Sequence, residues 1–482
     1  MKLTKTDVPS PPNASQDTAS QRVDVGRILD EAPWGPYQKF VLLLVSVVIV
    51  LDGVDTQTLS LALPAITQDW GVGRAVFGPI MAASFIAMAI GTAFGGLAGD
   101  RFGRRTALIA SVVIFGVGTL LGAACHDVIL LGVTRLIASV GLGAAMPNAT
   151  AMVAEYTPSR ERTLGVSIAM GSVPLGGFAA GMLAAWILPQ EGWRALFVVS
   201  GVIPLVGAAV LAGFLPESVR FLVARGKRPD RVGAVLAKVG YIPRAGDVFV
   251  DTTEVQEKRP SVATLFAPHH RRDTISLSVA FFCAIFATLA LIIWAPSLLA
   301  DAGYNLAVAS SGTAMYSIGG LFGGLFGAFL FARIGSRYAL TAMAGAALLC
   351  CLVLGSLPLG SGFDGSTVLV AFFIIGLFIP GAQVVLFSLA GQVFPTSIRA
   401  TGVGFVAAVG RFGAVAAAFL GPLMLLHGNV SLFGTIAAVV LVGGIALQFV
   451  RTHLPAGHGR SAGGAAGDVK AIIPAVEKVS GS

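Results

Sequence analysis

FVLLLVSVVIVLDGVDTQTLSLALPAI, residues 40–66, is an apolar run long enough to cross a bilayer, and it carries two carboxylates, Asp52 and Asp55, inside it. A span needs about 20 apolar residues for a hydrocarbon core of roughly 30 Å. At about 1.5 Å per residue, Asp52 lies on the order of 18 Å from the Phe40 end, so both acids sit near mid-membrane. Their i, i+3 spacing puts them on one helical face. A carboxylate at that depth costs several kcal/mol unless it is paired, hydrated or protonated, and such residues mark substrate, ion or proton pathways. The plainer alternative is an acid pair that only salt-bridges a neighbouring helix. Gly53 and Pro64 add backbone irregularity to the same helix, which a membrane tolerates where the freed groups face protein or water.

Outward from this stretch, the whole chain reads the same way. Its 482 residues are 55% hydrophobic and 12% charged, and the mean hydropathy of +0.83 excludes a soluble globular domain. The 61 glycines suit close helix packing in lipid. Cys125, Cys283, Cys350 and Cys351 fall in or beside apolar spans without metal-site or disulfide spacing, and free thiols are expected. The net charge of +8 follows from basic loops between spans, so no nucleic-acid partner is expected. There is no His-Glu-x-x-His, Gly-x-Ser-x-Gly, nucleotide loop or Cys/His cluster, so neither an enzyme, a metal nor a cofactor is expected.

Spanning-length windows recur at residues 77–97, 106–124, 128–153, 163–188 and 195–215, then at 275–299, 309–331, 338–359, 367–393, 400–426 and 432–450, which makes twelve with the first. Of the 32 Lys and Arg, 28 fall in the tails and even-numbered loops, which places both termini in the cytoplasm. Residues 1–38 form a polar tail without a signal-peptide core, so the first span is expected to serve as its own insertion signal. Residues 39–215 and 274–452 form two six-helix bundles, with a linker at 216–273 and a second tail at 453–482. The linker contains EVQEKRP and a basic segment from Arg220 to Gly240 that suits surface helices, although a solvated connector fits its composition equally.

The halves repeat. GGLAGDRFGRRTAL (Gly95–Leu108) aligns without gaps to GAFLFARIGSRYAL (Gly327–Leu340), and TPSRERTLGV from Thr157 parallels PTSIRATGV from Pro395. Six-span repeats build many transporters, with the site near midplane between halves. The acid pair is not repeated, because the matching positions of span seven are Ala284 and Ala287.

The loop Gly99-Asp100-Arg101-Phe102-Gly103-Arg104-Arg105 strongly resembles the signature loop between spans two and three of the major facilitator superfamily. That resemblance implies a gating latch of Asp100, Arg101, Gly103, Arg104 and Arg105, with the twelve-helix fold; positive-inside anchoring alone is the plainer reading of the charges. In the second copy Ala332 replaces Asp100, so a latch there must be built differently. Within the superfamily the chain resembles the aromatic acid:proton symporters. Asp52-Gly53-Val54-Asp55 matches their first-span signature, and Arg135–Tyr156, PESVRFL (Pro216–Leu222) and Phe394–Ala414 are similar to theirs. Glu155, Arg162 and Arg399 match family positions and are read as gating or structural contacts.

Arg135 lies inside span four and needs an acidic partner, for which the resemblance offers Asp52 or Asp55. Arg411 also lies near mid-depth, twelve residues past Arg399, with no acid in the C-terminal spans to pair with it. Its planar fork suits an incoming carboxylate, with hydrogen bonding to backbone carbonyls as the alternative. Phe178, Phe282, Trp294, Tyr316 and Phe387 have rings that could stack on a ring substrate, but aromatic residues are also ordinary span and interface filler, and none is singled out. The expectation is therefore a monomeric, bacterial inner-membrane symporter importing an aromatic carboxylate on the proton gradient, with Arg411 binding the carboxylate and Asp52, Asp55 and Arg135 coupling protons. Proton-coupled efflux of drugs or organic ions is the competing reading within transporters, and a non-transporting membrane sensor of the same fold the one outside them.

Overall fold

The computed structural model describes residues 22–226, 229–244, 247–251, 262–359, 363–395, 398–451 and 453. The EVQEKRP segment and, except for His453, the second tail lie outside the described residues. A short strand β1 (Arg22–Asp24) and helix α1 (Val25–Glu31) precede α2 (Pro36–Trp70), α3 (Phe77–Phe102), α4 (Arg104–Gly122), α5 (Val128–Tyr156), α6 (Arg162–Gly171) and α7 (Val173–Phe214). The linker supplies α8 (Val219–Ala224), α9 (Pro229–Lys238) and strand β2 (Val248–Val250). The second half is α10 (Arg271–Asp301), α11 (Leu306–Ile334), α12 (Ser336–Ser356), α13 (Gly365–Val393), α14 (Arg399–Met424) and α15 (Gly428–Gln448).

Eleven of the described helical stretches are long and apolar enough to cross a membrane, and one of them, Leu164–Phe214, runs for 51 residues. A straight helix of that length would be about 76 Å long, more than twice the hydrocarbon core. It is not straight. Gly192 stands at φ 75°, ψ −177°, outside the helical region, and the two arms pack on different neighbours. The arm before it lies on α2 and α11, through Gly176 against Gly53 and Gly181 against Ala314, whereas the return arm lies on α4 through Gly201 against Leu120. The two arms are the expected fifth and sixth spans, and the chain crosses twelve times.

Local sequence sets the turns. Pro36 opens α2, where its missing N–H costs nothing, and Gly71 closes it in the left-handed conformation. Asp127, Asn305 and Asp364 cap α5, α11 and α13 by accepting from Leu130, Val308 and Thr367 N–H. The repeat is visible in the backbone: Gly91 of α3 and its counterpart Gly323 of α11 each meet a neighbouring main chain, and an added Cβ would lie 2.2 Å from the Val140 carbonyl oxygen or 2.0 Å from that of Leu377. Only a residue without a side chain permits either approach.

Buried apolar residues form three clusters, and their distribution describes the state of the molecule. On the face away from the chain termini, one cluster joins both halves, from Leu59 and Phe77 to Trp294, Phe372 and Phe433. On the terminus face each half has its own, around Val45, Leu108 and Met152 in the first and around Leu277, Leu340 and Leu389 in the second. The halves are thus packed together on the far side and separately cored on the terminus side. A bidentate pair between Arg74 and Asp301 ties the far-side loops of the two halves.

The linker is not a solvated connector where it is described. β1 pairs in parallel with β2, Arg22 opposite Val248, and Val25 and Leu29 of α1 are buried with Val219, Val232 and Leu236 under the first half. Part of the expected polar N-terminal tail is therefore built into a small layer beneath that bundle.

Candidate functional site

Asp55 is the acid that pairs with Arg135. Both are buried, at 0% and 3% exposure. The ion pair itself is long, 3.4 Å from Arg135 Nη1 to the Asp55 carboxylate, against about 2.8 Å for a strong charge-assisted bond. Thr119 of α4 tightens it: Arg135 Nη1 donates to the Thr119 hydroxyl at 3.0 Å, and that hydroxyl donates to Asp55 Oδ1. Arg135 Nη2 adds a bond to the Asp55 main-chain carbonyl at 3.2 Å. Three helices of the first half, α2, α4 and α5, thereby converge on one charged node.

Asp52 stands one turn away and is equally buried, yet its Oδ1 has no hydrogen-bond partner among the described residues. A buried carboxyl oxygen without a partner is costly, and it sets Asp52 apart from Asp55, whose oxygens are engaged by Thr119 and Arg135. Beside the node, Arg135 lines a cavity of about 40 Å³ with Thr56, Ser60, Ser84 and Ser139, and with Phe85 and, from the second half, Ile293. That is room for two or three waters, not for an aromatic ring.

Arg411 is exposed rather than buried. Its Nη1 donates to the hydroxyl of Thr92 on α3, 3.1 Å away in the opposite half. Thr92 is one helical turn beyond Met88, which lines the Arg135 cavity, so the node and Arg411 face the same seam between halves from different depths. The bond is to a neutral hydroxyl, neither to an acid nor to a backbone carbonyl, and it leaves most of the guanidinium's donors available to an anion.

The residues of the signature loop separate into two groups. Asp100 and Arg101 are exposed, and Asp100 has no hydrogen-bond or ion-pair partner among the described residues, while Arg101 offers its carbonyl to Arg225. Gly103 turns at φ 101° directly over the Glu217 carboxylate, which a Cβ would meet at 2.4 Å, and Glu217 Oε1 accepts the Arg105 N–H at 2.9 Å. Arg104 Nη1 pairs with Glu155 at 3.2 Å; Glu155 also accepts from Ser218 at 2.6 Å and from the Arg220 N–H at 3.0 Å. Arg162 donates to Asp30 of α1 and to the Ala154 carbonyl. Arg399 donates, among the described residues, to the carbonyl of Phe394, 3.4 Å away in its own half.

Several participants carry no sequence signal of their own. Thr92 and Thr119 are ordinary polar residues of apolar spans, and Asp30 lies in the tail. Glu217 stood within PESVRFL and was legible as an acid at the end of a span. The aromatic candidates need correction. Trp294 and Tyr316 are 0% and 1% exposed in the apolar cluster shared by the two halves, donating to the carbonyls of Ala417 and Thr288, so in this structure neither presents a face to a ligand. Phe387 packs edge-on against Phe281, and Phe282 stacks on Phe286. None of the five lines the cavity beside Arg135, where Phe85 does.

The sequence profile of the Major Facilitator Superfamily matches residues 45–366. The chain is 33% identical over 403 residues to a gallate transporter of Pseudomonas putida, covering 84% of this chain and 89% of that one. It is 34% identical over 422 residues to the 4-hydroxybenzoate transporter PcaK of Pseudomonas aeruginosa, covering 86% and 92%. Among solved structures it is similar to the xylose transporter XylE of E. coli in a partially occluded inward-open conformation, with TM-score 0.66, 18% identity, and coverage of 87% of this chain and 99% of that one.

Proposed function

The chain belongs to the Major Facilitator Superfamily, and from that premise we propose that it imports an aromatic carboxylate together with protons by alternating access. Its relatives, transporters of gallate and of 4-hydroxybenzoate, support the substrate class, and the observation that carries the coupling is the buried acid pair, with one Asp52 carboxyl oxygen unpartnered among the described residues and Asp55 bound to Arg135. The termini face the cytoplasm of a bacterial cell, the protein works as a monomer in the inner membrane, and the proton gradient is its only energy source.

Asp52 and Asp55 handle protons as a pair, with Arg135 held against Asp55. Opening the seam admits water to the cavity beside Arg135 and ties proton loading to conformation. Arg411 receives the substrate carboxylate in place of Thr92. Because the cavity beside Arg135 has room only for a few waters, the ring lies toward the terminus side, where the halves are separately cored. The loop from Gly99 to Arg105, with Glu155, Arg162 and Arg399, gates: its second group of contacts binds α4, α5 and the linker into one body, while Asp100 is free to engage another helix in the alternate state.

The test is uptake of radiolabelled 4-hydroxybenzoate into proteoliposomes with an acidic exterior. Accumulation above equilibrium is expected, with the neutral amide competing poorly. Asp52→Asn and Asp55→Asn should each abolish uphill uptake, and at least one should retain exchange at equal concentrations across the membrane. Concentrative uptake by both variants would make the acids structural; movement of cationic dyes instead of the acid would replace import by efflux.

A further inference from the structure

A groove between the terminus-side ends of α10 and α15 takes no part in the transport reading. It is an open groove of about 620 Å³ with a basic rim of Arg271, Arg272 and Arg451. Below the rim its walls are apolar: Ile275, Val279, Val442, Ile445 and Phe449 line it and are exposed. The rim is partly fixed in place. Arg272 Nε donates to the Phe449 carbonyl at 2.8 Å and its guanidinium lies 5.7 Å from that ring, while the Arg451 N–H donates to Asp273 Oδ1 at 2.7 Å. Asp273, the acid adjoining the rim in sequence, is buried and lies off the groove wall.

The internal repeat supplies a control. The corresponding place in the first half lies between α2 and the return arm of α7. There Phe40 and Phe214 meet edge to face at 6.3 Å, and Lys39 is turned onto the Trp34 ring at 5.6 Å. Excess positive charge on the terminus side accounts for basic residues in both halves. It does not account for three guanidinium groups set over an open apolar groove.

We propose that the groove binds an anionic phospholipid, with the phosphate held by Arg271, Arg272 and Arg451 and an acyl chain lying along the walls toward Val279 and Val442. Guanidinium forks match phosphate oxygens, and basic pockets between helices at the cytoplasmic surface suit anionic headgroups. The apolar walls discriminate a lipid from a free anion, which would gain nothing from Ile275 or Ile445. The assignment does not depend on the transport reading; the orientation of the termini decides only which leaflet supplies the lipid.

The full chain, purified in detergent, is titrated with phosphatidylglycerol, phosphatidylcholine or inorganic phosphate, and retained lipid is read by native mass spectrometry alongside the unfolding temperature. Phosphatidylglycerol should be retained and stabilising, the other two not. Each of Arg271→Gln, Arg272→Gln and Arg451→Gln should weaken retention roughly fivefold. Ile445→Trp, which fills the groove without touching a charge, should also displace the lipid, whereas Arg244→Gln elsewhere on the same face should not. Because Arg272 also bonds within the protein, Ile445→Trp keeps the proposal testable should Arg272→Gln fail to fold. Equal retention of phosphatidylcholine, stabilisation by phosphate alone, or undiminished phosphatidylglycerol binding by Ile445→Trp and Arg451→Gln would each overturn it.

Discussion

At mid-membrane depth α2 holds Asp52 and Asp55 and reaches Arg135 and Thr119, while the matching register of α10 holds Ala284 and Ala287. The second half keeps a single guanidinium at that depth, Arg411, and turns it across the seam to Thr92 of the first. The halves share a fold, down to Gly91 and Gly323, but treat charge in opposite ways. One engages its guanidinium internally, Arg135 with Asp55 and Thr119. The other leaves its charge at the interface, where a mobile anion or the opposite half can compensate it. On the proposed function, this asymmetry separates proton handling from carboxylate binding within one symmetric scaffold.

The largest effect that would break the comparison comes from Arg135. Arg135→Gln strands a carboxylate in a buried site, and unfolding followed in detergent should show a loss of about 3–5 kcal/mol. Adding Asp55→Asn should recover most of it, because both polar groups are then neutral. If the two substitutions instead destabilise additively, the node is not a coupled unit.

A smaller effect should come from Arg411, and in binding rather than in stability, since the side chain is exposed. Arg411→Gln should raise the dissociation constant for an aromatic carboxylate by roughly thirtyfold, the equivalent of about 2 kcal/mol for a charged hydrogen bond, measured by calorimetry. The neutral amide should be indifferent to the change. Arg411→Lys should restore only part of the affinity, because a point charge cannot reproduce the planar fork. Unchanged binding by Arg411→Gln would return carboxylate recognition to the first half.

The smallest concerns the far-side tie. An exposed pair such as Arg74 with Asp301 contributes about 0–1 kcal/mol, so Asp301→Asn should shift the equilibrium toward far-side opening by no more than about fivefold. Spin labels at Ala75 and Leu426 would report this as a growing population of longer distances. An unchanged distribution would leave closure to the apolar cluster shared by the two halves.

Much of this was legible in residues 40–66 and the two repeats. Apolar length gives the spans, the Lys and Arg asymmetry gives an expected orientation, and the cost of a buried guanidinium demands a partner for Arg135. The sequence reading also separates spans five and six near residues 189–194, where the structure breaks α7 at Gly192. It could not say that Trp294 and Tyr316 belong to the core, because an aromatic residue in a span has the same apolar character whether it faces a neighbour or a cavity. Nor could it see that Val25 and Leu29 bury against the linker, since that contact joins segments some 200 residues apart in the chain.

By itself, then, the sequence determined that two carboxylates and two guanidinium groups stand inside the membrane, because depth follows from counting residues along a helix of known rise. Only the tertiary structure decided that Asp55 and not Asp52 takes Arg135, that Thr119 bridges them, and that Arg411 answers to Thr92. Those choices depend on which faces α2, α3, α4, α5 and α14 turn to one another, and side-chain direction across helices is set by packing, on which periodicity along one helix is silent.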